Sequence, residues 1–192
     1  MLAHMSFIPG FAGDRQLAAG LLDTAQRHAR YDAGPHLRSW LHCVAAEVAA
    51  RTDDPNASVR HVRQAAESLN TAGDDPVWLD FYDASRLAGF TGYSLLVADR
   101  RAEAITALET ALAQLDQKGS KQRAVLLADL AVAHAPDDAE RAASLAGEAV
   151  EALEHDWYGA AYERLAGTQQ ALIGTSYAAE LADRVRELPA LS

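Results

Sequence analysis

The sequence predicts an all-α protein, and three observations carry the prediction. Alanine, the strongest helix former, fills 42 of the 192 positions. Valine, isoleucine and threonine are sparse, and no stretch alternates apolar and polar residues with a period of two. Turn signals at Gly13-Asp14, Gly34-Pro35, Asp53-Asp54-Pro55, Gly73-Asp74-Asp75-Pro76, Gly119-Ser120 and Pro136-Asp137-Asp138 divide the chain into helix-length pieces. Hydrophobic residues make up 49% of the chain, and its length suits a single domain over 1–192 with a real core.

Between these signals, helices are expected over 1–10, 14–31, 35–51, 56–71, 76–98, 100–117, 120–134, 138–154, 157–172 and 176–187. Two starts have a clear mechanism. In Asp54-Pro55 and Asp75-Pro76, the aspartate accepts bonds from orphan backbone N–H groups, and proline at the first helical position loses no donor. Capping therefore explains the aspartate pairs without a metal. Residues 76–98 hold five aromatic rings, Trp78, Phe81, Tyr82, Phe90 and Tyr93, and two glycines, Gly89 and Gly92. Each glycine costs a helix about 1 kcal/mol against alanine. Trp78, Phe81 and Phe90 read as core, and Asp80 with Asp83 reads as a solvated face. Trp157, at the start of a later helix, reads either as core or as a dimer contact.

The net charge of −10 comes without a basic stripe, which argues against nucleic-acid binding by this chain itself. A lone cysteine, Cys43, excludes an internal disulfide and suits a reduced, cytoplasmic setting. No signal peptide and no run of 18 apolar residues appear, so no membrane association is expected. No phosphate loop, nucleophile elbow, dinucleotide fingerprint or zinc-protease helix is present. Cys43 adjoins His42, but helix neighbours point apart. No catalytic residue, metal or cofactor is expected, and the chain reads as a non-enzyme.

A spacing recurs along the chain. Gly92 and Leu95 are followed by Ala104, Leu108 and Ala111. Ala18, Leu22 and Ala25 follow Gly13-Asp14. Ala45, Val48 and Ala57 share the phase, although His61 stands where a large apolar side chain is usual. Leu130, Ala131 and His134 precede Ala142, Ala146 and Ala149, with a turn one residue short. This pattern resembles the tetratricopeptide repeat, whose small residues let paired helices approach closely. The anchoring alanines 18, 57, 104 and 142 are 39, 47 and 38 residues apart, longer than the family's period of about 34. The resemblance implies about four divergent repeats over 1–154 in a right-handed superhelix. Residues 155–192 then form capping or docking helices.

At 100° per residue, Phe81, Ala84, Ala88, Gly92 and Leu95 make one stripe of the 76–98 helix. Tyr82, Arg86, Gly89, Tyr93 and Leu96 make a second. The resemblance puts Gly92 at the close-contact position and the second stripe on the concave groove. Tyr82, Arg86, Gly89 and Tyr93 are then candidate ligand or partner contacts, with His42 at the same phase of another repeat.

The strings "PVWLDFYDASRLAGFTGYSLL", "AITALETALAQL" and "RAVLLADLAVAH" look like the C-terminal repeat domain of bacterial Xre-type helix-turn-helix transcription regulators. Trp78, Phe81, Tyr82, Asp83, Leu87 and Gly92 match the first string of that group. Leu126, Leu127, Asp129, Leu130, Ala131 and His134 match the last. The resemblance implies a sensor that binds a protein, peptide or small-molecule effector in its groove, with a homodimer open. DNA would be reached only through a separate helix-turn-helix domain, which this chain lacks; the chain opens inside a first-repeat helix and reads as a fragment or as one with a start site placed late. Peptide-sensing relatives clamp peptides with asparagines. Asn56 and Asn70, the only asparagines here, lie at a helix start and a helix end. The rivals are a stand-alone interaction scaffold and, further off, an enzyme with a shifted base beside Tyr82.

Overall fold

The computed structural model of the chain describes residues 1–30, 33–79, 81–115 and 119–188. All regular structure among the described residues is helical. The chain divides into two compact units, 1–100 and 101–192.

The first unit contains α1 (Leu2–Met5), α2 (Phe7–Phe11), α3 (Arg15–Ala29), α4 (Pro35–Arg51), α5 (Pro55–Leu69) and α6 (Ala84–Val97). Helix α4 is its centre and packs against α2, α3, α5 and α6. Its sequence explains that position. Apolar or small residues occur on every side of it, and Trp40, Cys43, Val44, Ala46 and Val48 are all buried. A helix apolar all round belongs inside. Helices α3 and α5 instead bury one stripe each, Ala18 with Leu22 and Val62 with Ala65.

The start of α4 is capped from a distance. Gly34 precedes Pro35, and neither has a side chain that can accept a hydrogen bond. The carboxylate of Asp75 fills the role: its two oxygens accept from His36 N and Leu37 N, both at 3.0 Å. The ring of His36 meets the same carboxylate, with Nδ1 2.7 Å from Oδ2. Gly34 is required there, because a Cβ would lie 2.7 Å from Asp75 Cγ and closer still to Asp74 O.

That arrangement corrects the helix expected over 76–98. Asp75 caps α4, so no local helix opens at Pro76. Residues Val77–Leu79 make one 3-10 turn, and α6 begins at Ala84. Asp83 is its cap and accepts from Arg86 N at 2.9 Å. Asp83 is thus a structural cap, while Asp80 lies outside the described residues. The expected helix over 1–10 is likewise divided, between Met5 and Phe7. The 14–31 helix closes at Ala29, with residue 31 outside the described set. The 100–117 helix closes at Gln114, with residues 116–117 outside it.

The second unit contains α7 (Arg101–Gln114), α8 (Ser120–His134), α9 (Ala139–His155), α10 (Gly159–Ala171) and α11 (Ala178–Glu187). Helix α8 is central and packs against α7, α9 and α10. Leu126, Leu127, Leu145, Leu153 and Leu165 are fully buried, each worth roughly 1.5–3 kcal/mol of transfer free energy. Thr168 Oγ1 donates to Ala128 O at 3.1 Å, tying α10 to α8.

The repeated spacing has a structural counterpart. Gly13, Asp53 and Asp99 all take positive φ, at 77°, 59° and 58°. Each is followed by a residue whose N–H returns to the carbonyl five positions back: Asp14 to Pro9, Asp54 to Ala49, Arg100 to Leu95. The turn before α9 is shorter, and Asp138 N returns only four positions, to His134 O. Counting four residues on from Asp14, Asp54, Arg100 and Asp138 gives Ala18, Ser58, Ala104 and Ala142, all fully buried. This corrects the second anchor. Ser58, not Ala57, holds the close-contact position, with Ser58 Oγ donating to Ser94 Oγ at 2.8 Å. Four residues on, Val62 is buried, whereas His61 is half-buried.

Candidate functional site

The expected groove set separates. Tyr82 lies before α6, not on it, and is buried in the core of the first unit. Its hydroxyl sits 2.6 Å from Ser39 Oγ and 3.2 Å from Cys43 Sγ. Ser39 spends its single proton on Ala65 O, at 2.7 Å. The Tyr82 hydroxyl therefore donates to Ser39, and the Cys43 thiol donates to Tyr82. Burial pushes the Cys43 thiol up to about 12, and burial with Cys43 beside it pushes the Tyr82 phenol well above its ordinary value. Both groups stay protonated at neutral pH, the opposite of an activated nucleophile or base. Tyr82 is a packing residue held by a hydrogen-bond relay rather than a groove anchor.

Gly89 and Gly92 are both buried within α6. Arg86 and Tyr93 are half-buried on α6. His42 faces α5, where its ring stacks on His61 with centroids 5.6 Å apart. The two Nδ1 atoms are 3.4 Å apart, and His61 Nδ1 is 3.1 Å from Gln64 Oε1. That network assigns the proton to His61 Nδ1, leaving His42 Nδ1 as acceptor. Burial lowers both imidazoles, and each of the pair lacks an anionic partner strong enough to reverse it.

Two of the three rings expected in the core are not there. Trp78, in the 3-10 turn, is 60% exposed, and Phe81, between that turn and α6, is 43% exposed, because neither lies on a helix face turned to the core. Phe90 does pack against the core. Trp40 was not singled out by its sequence context, yet it is buried in the core of the first unit and meets Phe81 edge-on at 6.3 Å.

Trp40 and Trp78 instead frame a cleft of about 560 Å³ between α1, α3, α4 and the 3-10 turn. Leu37 and Leu41 form the floor, Ala25 and Ala29 the α3 wall, and His4 and His28 the polar groups. The His4 ring leans on Trp40 with centroids 4.9 Å apart. Burial and the neighbouring chain-terminal amine lower its pKa. A second cleft, of about 410 Å³, lies between α9 and α11 and is lined by Glu140, Glu148, Glu151 and Glu180. Arg184 crosses it, donating to Gly147 O at 3.3 Å and to Glu151 Oε1 at 3.4 Å. Among the described residues, no helix is long and apolar enough to cross a membrane, and no group of three or more His, Cys, Asp or Glu side chains is placed to hold a metal ion.

The chain matches no protein-family model, and no curated protein matches it.

Proposed function

We propose that the chain is a binding module: the sensor domain of a bacterial, cytoplasmic helix-turn-helix transcription regulator, built of tetratricopeptide-like hairpins in a superhelix and reaching DNA only through a separate domain. The cleft framed by Trp40 and Trp78 carries the binding part of this reading. Its volume of about 560 Å³ falls in the range of small-molecule sites, and it has the usual apolar walls with few polar groups. The protonated, bonded state of Cys43 and Tyr82 supports binding over catalysis at the aromatic segment. The regulator part rests on the three strings and on the shared turn geometry of the hairpins.

Native mass spectrometry of the wild type after exposure to cell extract tests it, beside Ala29→Phe, which fills the cleft from its α3 wall. A small molecule retained by the wild type and lost from Ala29→Phe is expected. Bare protein in both sinks the cleft as a sensor site. The upstream coding sequence tests the regulator half, where an in-frame helix-turn-helix is expected. The scaffold reading has one observation in its favour: Ile8 and Leu17 are 75% and 55% exposed on α2 and α3. A protein partner whose binding survives Ala29→Phe and is lost with Ile8→Glu would favour it.

A further inference from the structure

We propose that the cleft takes an amphipathic anion, an aromatic or branched apolar body carrying a carboxylate, with the imidazoles of His4 and His28 as its partners. This rests on the cleft being the binding site. The body follows from the walls: two indoles face an apolar floor of Leu37 and Leu41, and flat rings stack on such surfaces with offset or edge geometry.

The charge follows from what is missing from those walls. The chain has 27 acidic residues against 17 basic ones, and the α9–α11 cleft is lined by four glutamates. No acidic side chain lines the Trp40–Trp78 cleft among the described residues. The ionisable side chains on it are those of His4 and His28, neither of which carries negative charge. Asp75, which is bonded to the backbone N–H of the lining residue Leu37, has its oxygens taken by His36 N, Leu37 N and the His36 ring. An imidazole presents an N–H donor whether neutral or charged, and a carboxylate is acceptor-only, so the two match in either state. An ammonium in the same place would meet no anionic side chain among the described lining residues. His4 is held against Trp40, which fixes a donor at the wall where an apolar body would end.

Three probes of one shape test this: 1-naphthaleneacetate, 1-naphthalenemethanol and 1-naphthalenemethylamine, titrated calorimetrically into the full chain at one pH and salt. The acid is expected to bind roughly fivefold or more tighter than the alcohol, the effect of one charge-assisted hydrogen bond at a half-open site, and the amine more weakly than either. In the His4→Gln/His28→Gln double variant, with its helical circular dichroism intact, the acid should fall to the level of the alcohol while the alcohol is unchanged. Equal binding of all three overturns the anion inference and leaves the cleft reading standing. A preference for the acid that survives the double variant also overturns it, since the recognition then lies elsewhere. No binding by any probe to folded protein overturns both.

Discussion

The hydroxyl of Tyr82 accepts from the buried Cys43 thiol and donates to the buried Ser39 Oγ, whose own proton goes to Ala65 O. Tyr82→Phe keeps the ring and deletes the relay. It should cost about 1–2 kcal/mol, the value of a buried hydrogen bond with partners left behind, read from urea unfolding. The variant should keep full ligand binding, since the hydroxyl faces the core and not the cleft. The thiol makes a second prediction at this scale. With its pKa pushed up to about 12 and no exposure, Cys43 should resist an aromatic disulfide reagent at pH 8 in the native chain. It should react fully once denaturant is added. Rapid native labelling would mean that the first unit opens readily.

Helix ends and faces set the next scale. Asp75 supplies the cap of α4, so Asp75→Ala should cost about 1–2 kcal/mol, and Gly34→Ala should destabilise as well because its Cβ would collide with the capping segment. The register on α5 is testable by size. Ser58→Leu should be badly tolerated at the buried contact with Ser94, and Ala57→Leu should be mild. The reverse outcome would restore Ala57 as the anchor. The α4–α5 histidine pair gives a pH dependence. Burial lowers both folded-state pKa values below the unfolded one, so the unfolded chain binds more protons as pH falls through the imidazole range. Stability from this pair is present above the ordinary histidine pKa and is lost below it. The melting temperature should fall from pH 7.5 to pH 5. His42→Phe/His61→Leu should flatten that slope, and an unchanged slope would assign it to other groups.

Helices with local start signals were legible at this scale. Asp54-Pro55, Gly34-Pro35 and Asp137-Asp138 each open a helix close to its expected place. Asp75-Pro76 carries the same signal as Asp54-Pro55 and opens only a 3-10 turn, because its carboxylate is committed to a helix 39 residues earlier. No local pattern reports such a commitment. Tyr82 leaves the expected stripe for the same reason: once α6 starts at Ala84, the phase that joined Tyr82 to Arg86 no longer exists, while Arg86, Gly89 and Tyr93 stay on that helix. The cleft was not legible, since Trp40, Trp78 and His4 come together only through the packing of three separated segments.

Over the whole molecule, the charge of −10 is the property with the widest reach. Self-repulsion of that size weakens the compact state at low ionic strength, where the screening length is about 30 Å, and less at 0.15 M, where it is about 8 Å. The melting temperature should therefore rise as salt is added from about 0.01 to 0.15 M. By the same physics the chain should not retard duplex DNA at any salt in that range, because it has no basic stripe to release counterions. Retardation would remove the need for a separate DNA-binding domain. The distribution of charge matters as much as its sum: one cleft is lined by glutamates and the other by none among the described residues.

The reach of Asp75 back to α4 also has a meaning in time. Synthesis runs at about 5–20 residues per second, so a nascent chain displays the first turn of its central helix for about 2–8 seconds before the cap has even been made. Tyr82, which closes the relay over Ser39 and Cys43, arrives later still. A ribosome-arrested chain ending before Asp75 should leave Cys43 open to labelling, and one extended past α6 and clear of the exit tunnel should hide it. The centre of the first unit is thus among the last of its parts to be secured, and any chaperone or partner that meets the emerging chain meets α4 while it is still exposed.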